Sequence, residues 1–371
     1  MMLIERRKEM NRDNLIKNIL DLTKIPGISS REEKVTAAIK ELLKGRNYKV
    51  TIDRIGNLTY EHKGNKEGKK KVLVFAHVDE LGIIVRGITE NGFILFDRVG
   101  GVNTQILPGT KFVFDGEKGP VEGVVGVQAH HFMPVQNKFT VPQIIDMYID
   151  VNCESRQEVL DRGVDIGTLG GFLWQSKVQN DKFLVGKTMD NRASVGLLIE
   201  LLNDYENKDL DYNLYVCFPV QEEFNVRGIM PVMRKINPDL AIGFDITPAC
   251  DTPDLNYNET RLNGGPSLCV FNFHAGGTLA GVLPYKPFND RVIRKAKEND
   301  IPLQKDVAPG VITENAFAMF ENEDGIRVGN LSIPCRYTHT FFEKVSISDL
   351  ELTYKLLDKV LENDITEILN D

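Results

Sequence analysis

The sequence predicts an α/β fold in which a mostly parallel sheet is flanked by helices and a small β-barrel-like domain is inserted. Helix-like and strand-like segments alternate in residues 1–82 and 172–371, which is typical of a parallel sheet with helices on both faces. Residues 83–171 instead carry short β-rich runs separated by turn signals, including the hairpin-forming pair Asn91-Gly92. We therefore expect a main domain made of residues 1–82 and 172–371, interrupted by a β-rich domain at 83–171.

The elements of the main domain follow from apolar spacing and end signals. Helical spacing predicts one helix over 14–23 and another after Ser30, whose distance from Glu33 fits a capping box. A last helix is predicted at a second capping-box pair, Ser348 and Glu351. The segments between them are strand-like or helix-like and run in the order VTIDRIGNLTYEHKG, KKKVLVFAHVDELG, DNRASVGLLIELLNDY, LYVCFPV, VRGIMPVMRKI, DLAIGFDIT, RVIRKAKENDI and RVGNLSIPCRYTH.

The predicted insertion contains three β-rich stretches and one short helix. Turn residues separate the apolar runs in ITENGFILFDRVGG, LPGTKFVFDGEKGPVEGVVGV and IIDMYIDVNC. The acidic segment ESRQEVLDRG predicts the helix. This pattern of short apolar runs separated by turns indicates a barrel or sandwich with its own small core.

Composition argues against several classes of protein. Apolar residues make up 42% and charged residues 26% of the 371 positions, the profile of a soluble globular chain. The net charge of -8 argues against nucleic acid as a partner. The chain has neither an apolar run near the roughly 18 residues of a membrane helix nor a signal-peptide pattern at its start. Its 5 cysteines lack CxxC spacing, so we expect a cytoplasmic protein that binds neither nucleic acid nor membrane.

Four apolar strand-like runs are followed by side chains that bind metals or move protons. His77 follows VLVFA, Glu222 and Glu223 follow LYVCFPVQ, Asp245 follows AIGF, and His339 follows SIPCRYT. Ligands of open α/β sheets bind outside the carboxyl ends of the strands. The sequence therefore predicts that these side chains meet at one edge of the sheet.

Two adjacent carboxylates repel each other unless solvent, a cation or a proton relieves them. Two imidazoles with several carboxylates suit Zn, Mn or Co and do not fit a cysteine-type structural zinc site. The charges of two divalent cations would be balanced by a hydroxide and three carboxylates, Asp190, Glu223 and Asp245. Glu222 would then remain free to act as a base beside a polarised water.

These motifs together resemble the glutamyl aminopeptidase family of dinuclear-metal aminopeptidases, which includes the tetrahedral (TET) peptidases. Single motifs are weak signals, but their order and spacing over nearly the whole chain are specific. The matching stretches are IPGISSREE, AHVDELG, RVGG, IIDMYIDVNCESRQEVLDRGVDIG, KTMDNR, QEEFNVRG, GFDIT and RYTHTFFE.

The resemblance implies a set of metal ligands. His77 and Asp245 would hold one ion, Glu223 and His339 would hold the other, and Asp190 would bridge the two. The cofactors implied are two divalent metal ions, Zn, Co or Mn. The family fold is an α/β core with an inserted β domain used in oligomerisation, so the resemblance also implies a homo-oligomer, from a dimer up to a dodecamer.

The resemblance further implies two catalytic roles. Glu222 would be the general base and acid, and Asp79 would orient the imidazole of His77. The expected reaction is hydrolysis of the N-terminal residue of a peptide by a water that the two metals activate.

The chain departs from the family pattern where the substrate side chain should bind. It has PGVITENAFAMF where the family has a glycine-rich GGTDA-like stretch, and THTFFE in place of HSPVE. Two alternatives therefore remain open: a dinuclear-metal N-acyl deacylase, and a non-catalytic assembly protein on the same fold. Glu314 is interpreted as a solvated or pocket-rim acid, and Arg192 as an ion-pair partner of the site carboxylates.

Overall fold

The computed structural model describes residues 10–65, 70–274 and 281–370. The α-helices are α1 Arg12–Thr23, α2 Glu33–Leu42, α3 Arg156–Asp161, α4 Met189–Tyr205, α5 Ile229–Ile236, α6 Lys286–Glu298, α7 Asn315–Ala318 and α8 Ile347–Val360. Within these described ranges, no helix is long and apolar enough to cross a membrane.

Most strands of the main domain and all those of the inserted barrel are short. In chain order they are β1 Lys49–Ile52, β2 Leu58–His62, β3 Lys71–Phe75, β4 Gly82–Ile88, β5 Phe93–Val99, β6 Lys111–Gly116, β7 Gly119–Val125, β8 Ile149–Asp150, β9 Leu169–Phe172, β10 Lys177–Gln179, β11 Phe183–Gly186, β12 Asn213–Phe218, β13 Leu240–Pro248, β14 Ser267–Phe273, β15 Gly281–Val282, β16 Gln304–Pro309, β17 Arg327–Arg336 and β18 Glu343–Ser346.

The main sheet has a parallel centre and antiparallel ends. Its strand order is β1-β2-β12-β3-β13-β17-β18-β11-β10, with β14, β15 and β16 attached beside β17. Strands β12, β3, β13 and β17 run parallel to one another, whereas β1, β2, β18, β11 and β10 pair antiparallel. The predicted α/β class is confirmed, and the parallel centre gives the sheet a carboxyl edge towards which the ends of four strands point.

The central strands are covered on both faces. Alternate residues of β3 belong to different cores: Val72 and Val74 pack with α1, α4 and α8, whereas Leu73 and Phe75 pack with α5 and α7. This follows from the two-residue period of a strand. It explains why the central strands read as unbroken apolar runs rather than as alternating ones.

The inserted strands close into a barrel in the order β4-β5-β8-β7-β6-β9. The barrel has its own core, which includes Phe96, Phe112 and Phe114. Asn91-Gly92 forms the predicted β4–β5 hairpin, with Gly92 at φ 81°, and α3 begins after Ser155, whose side chain accepts from the backbone N–H of Glu158. The two ends of the barrel lie side by side, since Gly82 of β4 pairs with Gly171 of β9.

The two predicted capping boxes are wrong. Helix α2 begins at Glu33 without a side-chain cap, and its flanking residue Glu32 accepts from the backbone N–H groups of Ser30 and Gln221 instead. Helix α8 begins one residue before Ser348, also without a side-chain cap. In α2 the local cap is replaced by a contact with a distant loop, which the spacing of the sequence does not encode.

Candidate metal centre

The carboxyl edge of the parallel strands brings the predicted site residues together. His77 follows β3, Glu222 and Glu223 follow β12, and His339 follows β17. The placement of Asp245 at a strand end is wrong, because β13 continues to Pro248 and pairs with β17 along this stretch. The Asp245 carboxylate reaches the site from within the strand.

Two groups of potential ligands share one carboxylate. In the first, Nε2 of His77 lies 3.3 Å from Oδ1 of Asp190 and 3.7 Å from Oδ1 of Asp245. In the second, Nε2 of His339 lies 3.7 Å from Oδ2 of Asp190 and 3.8 Å from Oε2 of Glu223. Each oxygen of Asp190 therefore faces a different imidazole.

The spacing of these atoms fits metal coordination. The ligand atoms within each group lie within 4.8 Å of one another. Two ligands held about 2.0–2.2 Å from a tetrahedral ion are about 3.4 Å apart, so small movements would let each group share an ion. Imidazole and carboxylate donors suit Zn, Co and Mn, and Asp190 belongs to both groups.

The site concentrates negative charge in a buried place. Burial, followed by the nearby carboxylates, raises the pKa of Glu222 and Glu223 well above the usual range, and burial also raises that of Asp245. Burial lowers the pKa of His77, but Glu222 and the other carboxylates outweigh it and hold that pKa well above its usual value. These shifts share one cause, the crowding of buried carboxylates, which a bound cation would relieve.

The Asp79 carboxylate accepts hydrogen bonds from the backbone of both adjacent glutamates. Its Oδ1 accepts from the backbone N–H of Glu222 at 2.9 Å, and its Oδ2 accepts from the N–H of Glu223 at 3.0 Å and from the Ser29 hydroxyl at 2.6 Å. Oδ1 also lies 3.3 Å from Nδ1 of His77, as a charge contact rather than an aligned hydrogen bond. One fully buried carboxylate thus contacts three candidate site residues.

Glu343 is a positioning carboxylate that the sequence reasoning missed. Its Oε2 accepts from the backbone N–H of Asp190 at 3.0 Å, and its Oε1 accepts from the N–H of His339 at 2.9 Å. Burial, followed by the charge of Asp190, raises its pKa to about 8. The RYTHTFFE motif could have indicated this role, because Glu343 is the last residue of that motif.

A buried ion pair joins the start of α4 to the segment after β3. Lys187 donates to Oε2 of Glu80 at 2.6 Å, and Oε1 of Glu80 accepts from the backbone N–H of Gly27 at 2.9 Å. Glu80 follows Asp79 directly, and Lys187 lies three residues before Asp190. This ion pair therefore links the segment that carries Asp79 to the segment that carries Asp190.

Two interpretations of charged residues are wrong. Arg192 is fully buried, and among the described residues no carboxylate lies within 4 Å of its guanidinium, which donates to the carbonyl of Leu22 at 3.0 Å. Glu314 is only 2% exposed, so it is neither solvated nor at a rim. Burial raises its pKa well above the usual range. Ile312, two residues earlier, lines the cleft instead.

A cleft of about 750 Å³ opens over the two ligand groups. The barrel contributes one wall through Arg98 and residues 101–104, and the main domain contributes Val226, Ile246, Val311 and Ile312. The floor is acidic and the walls carry apolar side chains. A segment of peptide could therefore place a carbonyl at the floor and a side chain against the walls.

Comparison with known proteins finds relatives that match over most of the chain. A family model described as M42 glutamyl aminopeptidase matches residues 56–356. SgcX of Escherichia coli K12 is 37% identical over 331 residues, which cover 89% of this chain and 88% of that protein. The lysyl aminopeptidase of Pyrococcus furiosus is 31% identical over 353 residues, which cover 94% and 96%.

Solved structures agree with this match. Aminopeptidase APDkam598 from Desulfurococcus kamchatkensis superposes with a TM-score of 0.88 at 28% identity and covers 97% of both chains. The TET1 peptidase of Pyrococcus horikoshii, described as assembling into a tetrahedron or an octahedral shell, has a TM-score of 0.82 at 28% identity and covers 94% and 99%. The chain belongs to the M42 glutamyl aminopeptidase family of metal-dependent peptidases, as its motifs predicted.

Proposed function

We propose that this chain is an aminopeptidase that holds two divalent ions, Zn, Co or Mn, and removes N-terminal residues from peptides. The observation that carries the proposal is the pair of ligand groups that share Asp190 beneath an open cleft. His77 and Asp245 would hold one ion, and Glu223 and His339 the other. Bound there, the ions would lower the pKa of a water molecule and polarise the scissile carbonyl.

Glu222 is proposed as the general base and acid. Its Oε2 lies 3.8 Å from Nε2 of His77, beside the first ligand group but outside both groups. Its side chain lines the cleft. From there it can take a proton from the attacking water and return it to the leaving amine.

Asp79 is proposed to orient rather than to react. It holds the backbone of Glu222 and Glu223 and touches the imidazole of His77 on the side away from Asp190. Carboxylates behind a ligating histidine commonly fix its ring and raise its basicity. Asp79 would therefore set the direction in which three functional side chains project.

Replacing each glutamate of the pair by glutamine tests these roles. Glu222→Gln keeps the shape of the side chain but cannot accept a proton, so we expect two bound metals and kcat lower by about 10²–10⁴-fold. Glu223→Gln should lose one metal equivalent, and excess metal should partly restore its activity. Metal content by mass spectrometry and kcat on aminoacyl substrates measure both effects, with the exposed barrel residue Glu122→Gln as control.

The outcomes separate the possibilities. Reversed phenotypes would mean that the roles within the pair are exchanged. Full activity in both variants, or a wild-type protein without bound metal, would overturn the two-metal mechanism. Cleavage of N-acyl compounds in place of free aminoacyl substrates would favour the deacylase alternative, which the altered PGVITENAFAMF segment suggests.

We also propose that the barrel mediates self-assembly. Its surface carries a series of exposed apolar side chains: Phe132 is 83% exposed, Val135 74%, Phe139 93% and Ile145 57%. Surfaces of this kind are typical of protein interfaces. The similar TET1 peptidase assembles into large shells, which supports a homo-oligomer for this chain.

A further inference from the structure

A glycine turn of the barrel reaches into the metal centre. The turn follows β5, and the carbonyl of Gly101 lies 3.0 Å from Nδ1 of His339. A Cβ on Gly101 would stand 2.7 Å from this Nδ1 and 2.9 Å from Cε1 of the same ring. A Cβ on Gly100 would stand 3.0 Å from the carbonyl oxygen of Glu223. The turn is therefore packed against two candidate ligands of the second ion.

The carbonyl contact decides which nitrogen of His339 is available. A carbonyl oxygen can only accept, so Nδ1 must donate its hydrogen to Gly101. The lone pair is then on Nε2, which faces Asp190 and Glu223. Hydrogen bonding at one ring nitrogen sets the metal-binding state of the other.

The ring has little other support. The side chain of His339 is 40% exposed, and among the described residues Gly101 provides its only hydrogen-bond partner. The His339 backbone is held separately: φ is 63° and its N–H donates to Glu343. The main domain thus fixes the backbone of this histidine, and the barrel fixes its ring.

We propose that Gly101 is a positioning residue for the second metal site. Its carbonyl sets the tautomer and direction of the His339 ring, and its missing side chain lets the ring approach. The inserted barrel would then complete the metal centre of the main domain. This inference rests on the proposed function, because it requires an ion between Asp190, Glu223 and His339.

The test is the Gly101→Ala variant. The backbone of Gly101 is outside the left-handed region, so the added methyl acts through its clash with the ring. We expect the dissociation constant of one of two zinc equivalents to rise about 10–100-fold, while the other stays unchanged. Gly87→Ala is the matched control in the same barrel, because a Cβ there would meet its nearest atom, on Leu95, at an ordinary 3.7 Å.

A double variant separates positioning from general damage. His339→Ala removes the ring, so adding Gly101→Ala to it should weaken zinc binding no further. Cobalt-loaded protein gives a second readout, since a displaced imidazole alters the visible absorption of one ion. Arg98→Ala provides a milder perturbation if Gly101→Ala does not fold, because Arg98 donates to the carbonyl of Val102 and holds the turn. It should weaken the same equivalent several-fold.

Each result has a defined meaning. A wild-type protein that binds fewer than two ions overturns both the proposed function and this inference. Two ions in the wild type with unchanged zinc affinity in Gly101→Ala and Arg98→Ala overturn the inference alone. An additive loss in the double variant also overturns it, because Gly101 would then act independently of His339.

Discussion

Replacing Asp79 by asparagine tests whether one buried carboxylate holds the paired glutamates in place. The side chain is fully buried and uses both oxygens: Oδ1 accepts from the N–H of Glu222, and Oδ2 accepts from the N–H of Glu223 and from Ser29. Asparagine nearly preserves the shape but offers one oxygen and one NH₂ group. The substitution therefore changes hydrogen bonding without opening a cavity.

The expected cost follows from these contacts. If the amide oxygen faces Glu222, the NH₂ group faces Glu223. The backbone N–H of Glu223 then has no acceptor, whereas the Ser29 hydroxyl can rotate and accept a hydrogen bond from the NH₂ group. If the amide is flipped, the N–H of Glu222 is orphaned. A buried donor without a partner costs about 1–3 kcal/mol. We expect the metal-free protein to lose about that much unfolding free energy, and metal affinity to fall about 10–100-fold.

Urea unfolding followed by circular dichroism measures the first effect, and zinc titration against a competing chelator measures the second. Asp324→Asn is the matched control, since Asp324 is exposed on a turn. Unchanged unfolding free energy together with unchanged zinc affinity in Asp79→Asn would refute the reasoning, because the orphaned donor would then have found another acceptor.

Two further predictions concern assembly and acid stability. Phe132→Glu combined with Phe139→Glu should lower the mass seen in sedimentation, whereas Ile52→Glu on β1 should not; a monomeric wild type would remove the assembly proposal. Burial opposes ionisation of Glu362, but hydrogen bonds from Lys295 and Lys359 lower its pKa to about 2. Its stabilisation should be complete above about pH 4.5, the ordinary pKa of glutamate, and be lost as the pH falls towards 2. Glu362→Gln should flatten the measured stability in that range, and an unchanged slope would contradict this.

The parallel centre of the sheet was predictable because its strands are buried on both faces. A segment such as DLAIGFDIT can be identified as a central strand without knowing its neighbours. Its unbroken apolar run is typical of a strand whose two faces are both covered by helices. The antiparallel ends were not predictable in the same way. Strands β10, β11 and β18 are three or four residues long, and the pairing that joins β11 to β18 links segments far apart in the chain. Periodicity carries no information about such pairing.

The candidate ligands could be predicted from residue types after apolar runs and from their order, but the groups that position them could not. The contact between Asp79 and the N–H of Glu222 joins residues 143 positions apart, and the contact between Gly101 and His339 spans 238 positions. Both use backbone atoms, which every residue has. A sequence pattern is made of side-chain types, so it cannot reveal contacts that backbone atoms make.

The surroundings of charged residues are hard to predict for a related reason. For Glu314 and Arg192 the sequence favours the common surroundings of their residue types, solvent and an ion pair, because charged side chains are rarely fully buried. In the structure both are buried, and the charges of His77 and Asp245 act on Glu314 while those of Glu80 and Asp79 act on Arg192. Burial of a charge depends on what the rest of the chain packs around it, which only the tertiary structure reveals.

The adjacent glutamates after β12 can coexist only if something neutralises the site. The buried basic groups are directed at other carboxylates: Lys187 pairs with Glu80, and the charges that act on Arg192 are those of Glu80, Asp79 and Glu32. Burial and the neighbouring carboxylates hold the pKa of Glu222 and of Glu223 well above the usual range, so each group keeps its proton more tightly until a cation is near. An ion that binds must displace such protons, so metal affinity has to rise with pH. The repulsion between the two carboxylates is therefore what a cation held by Glu223 would relieve, while Glu222 stays outside the ligand groups.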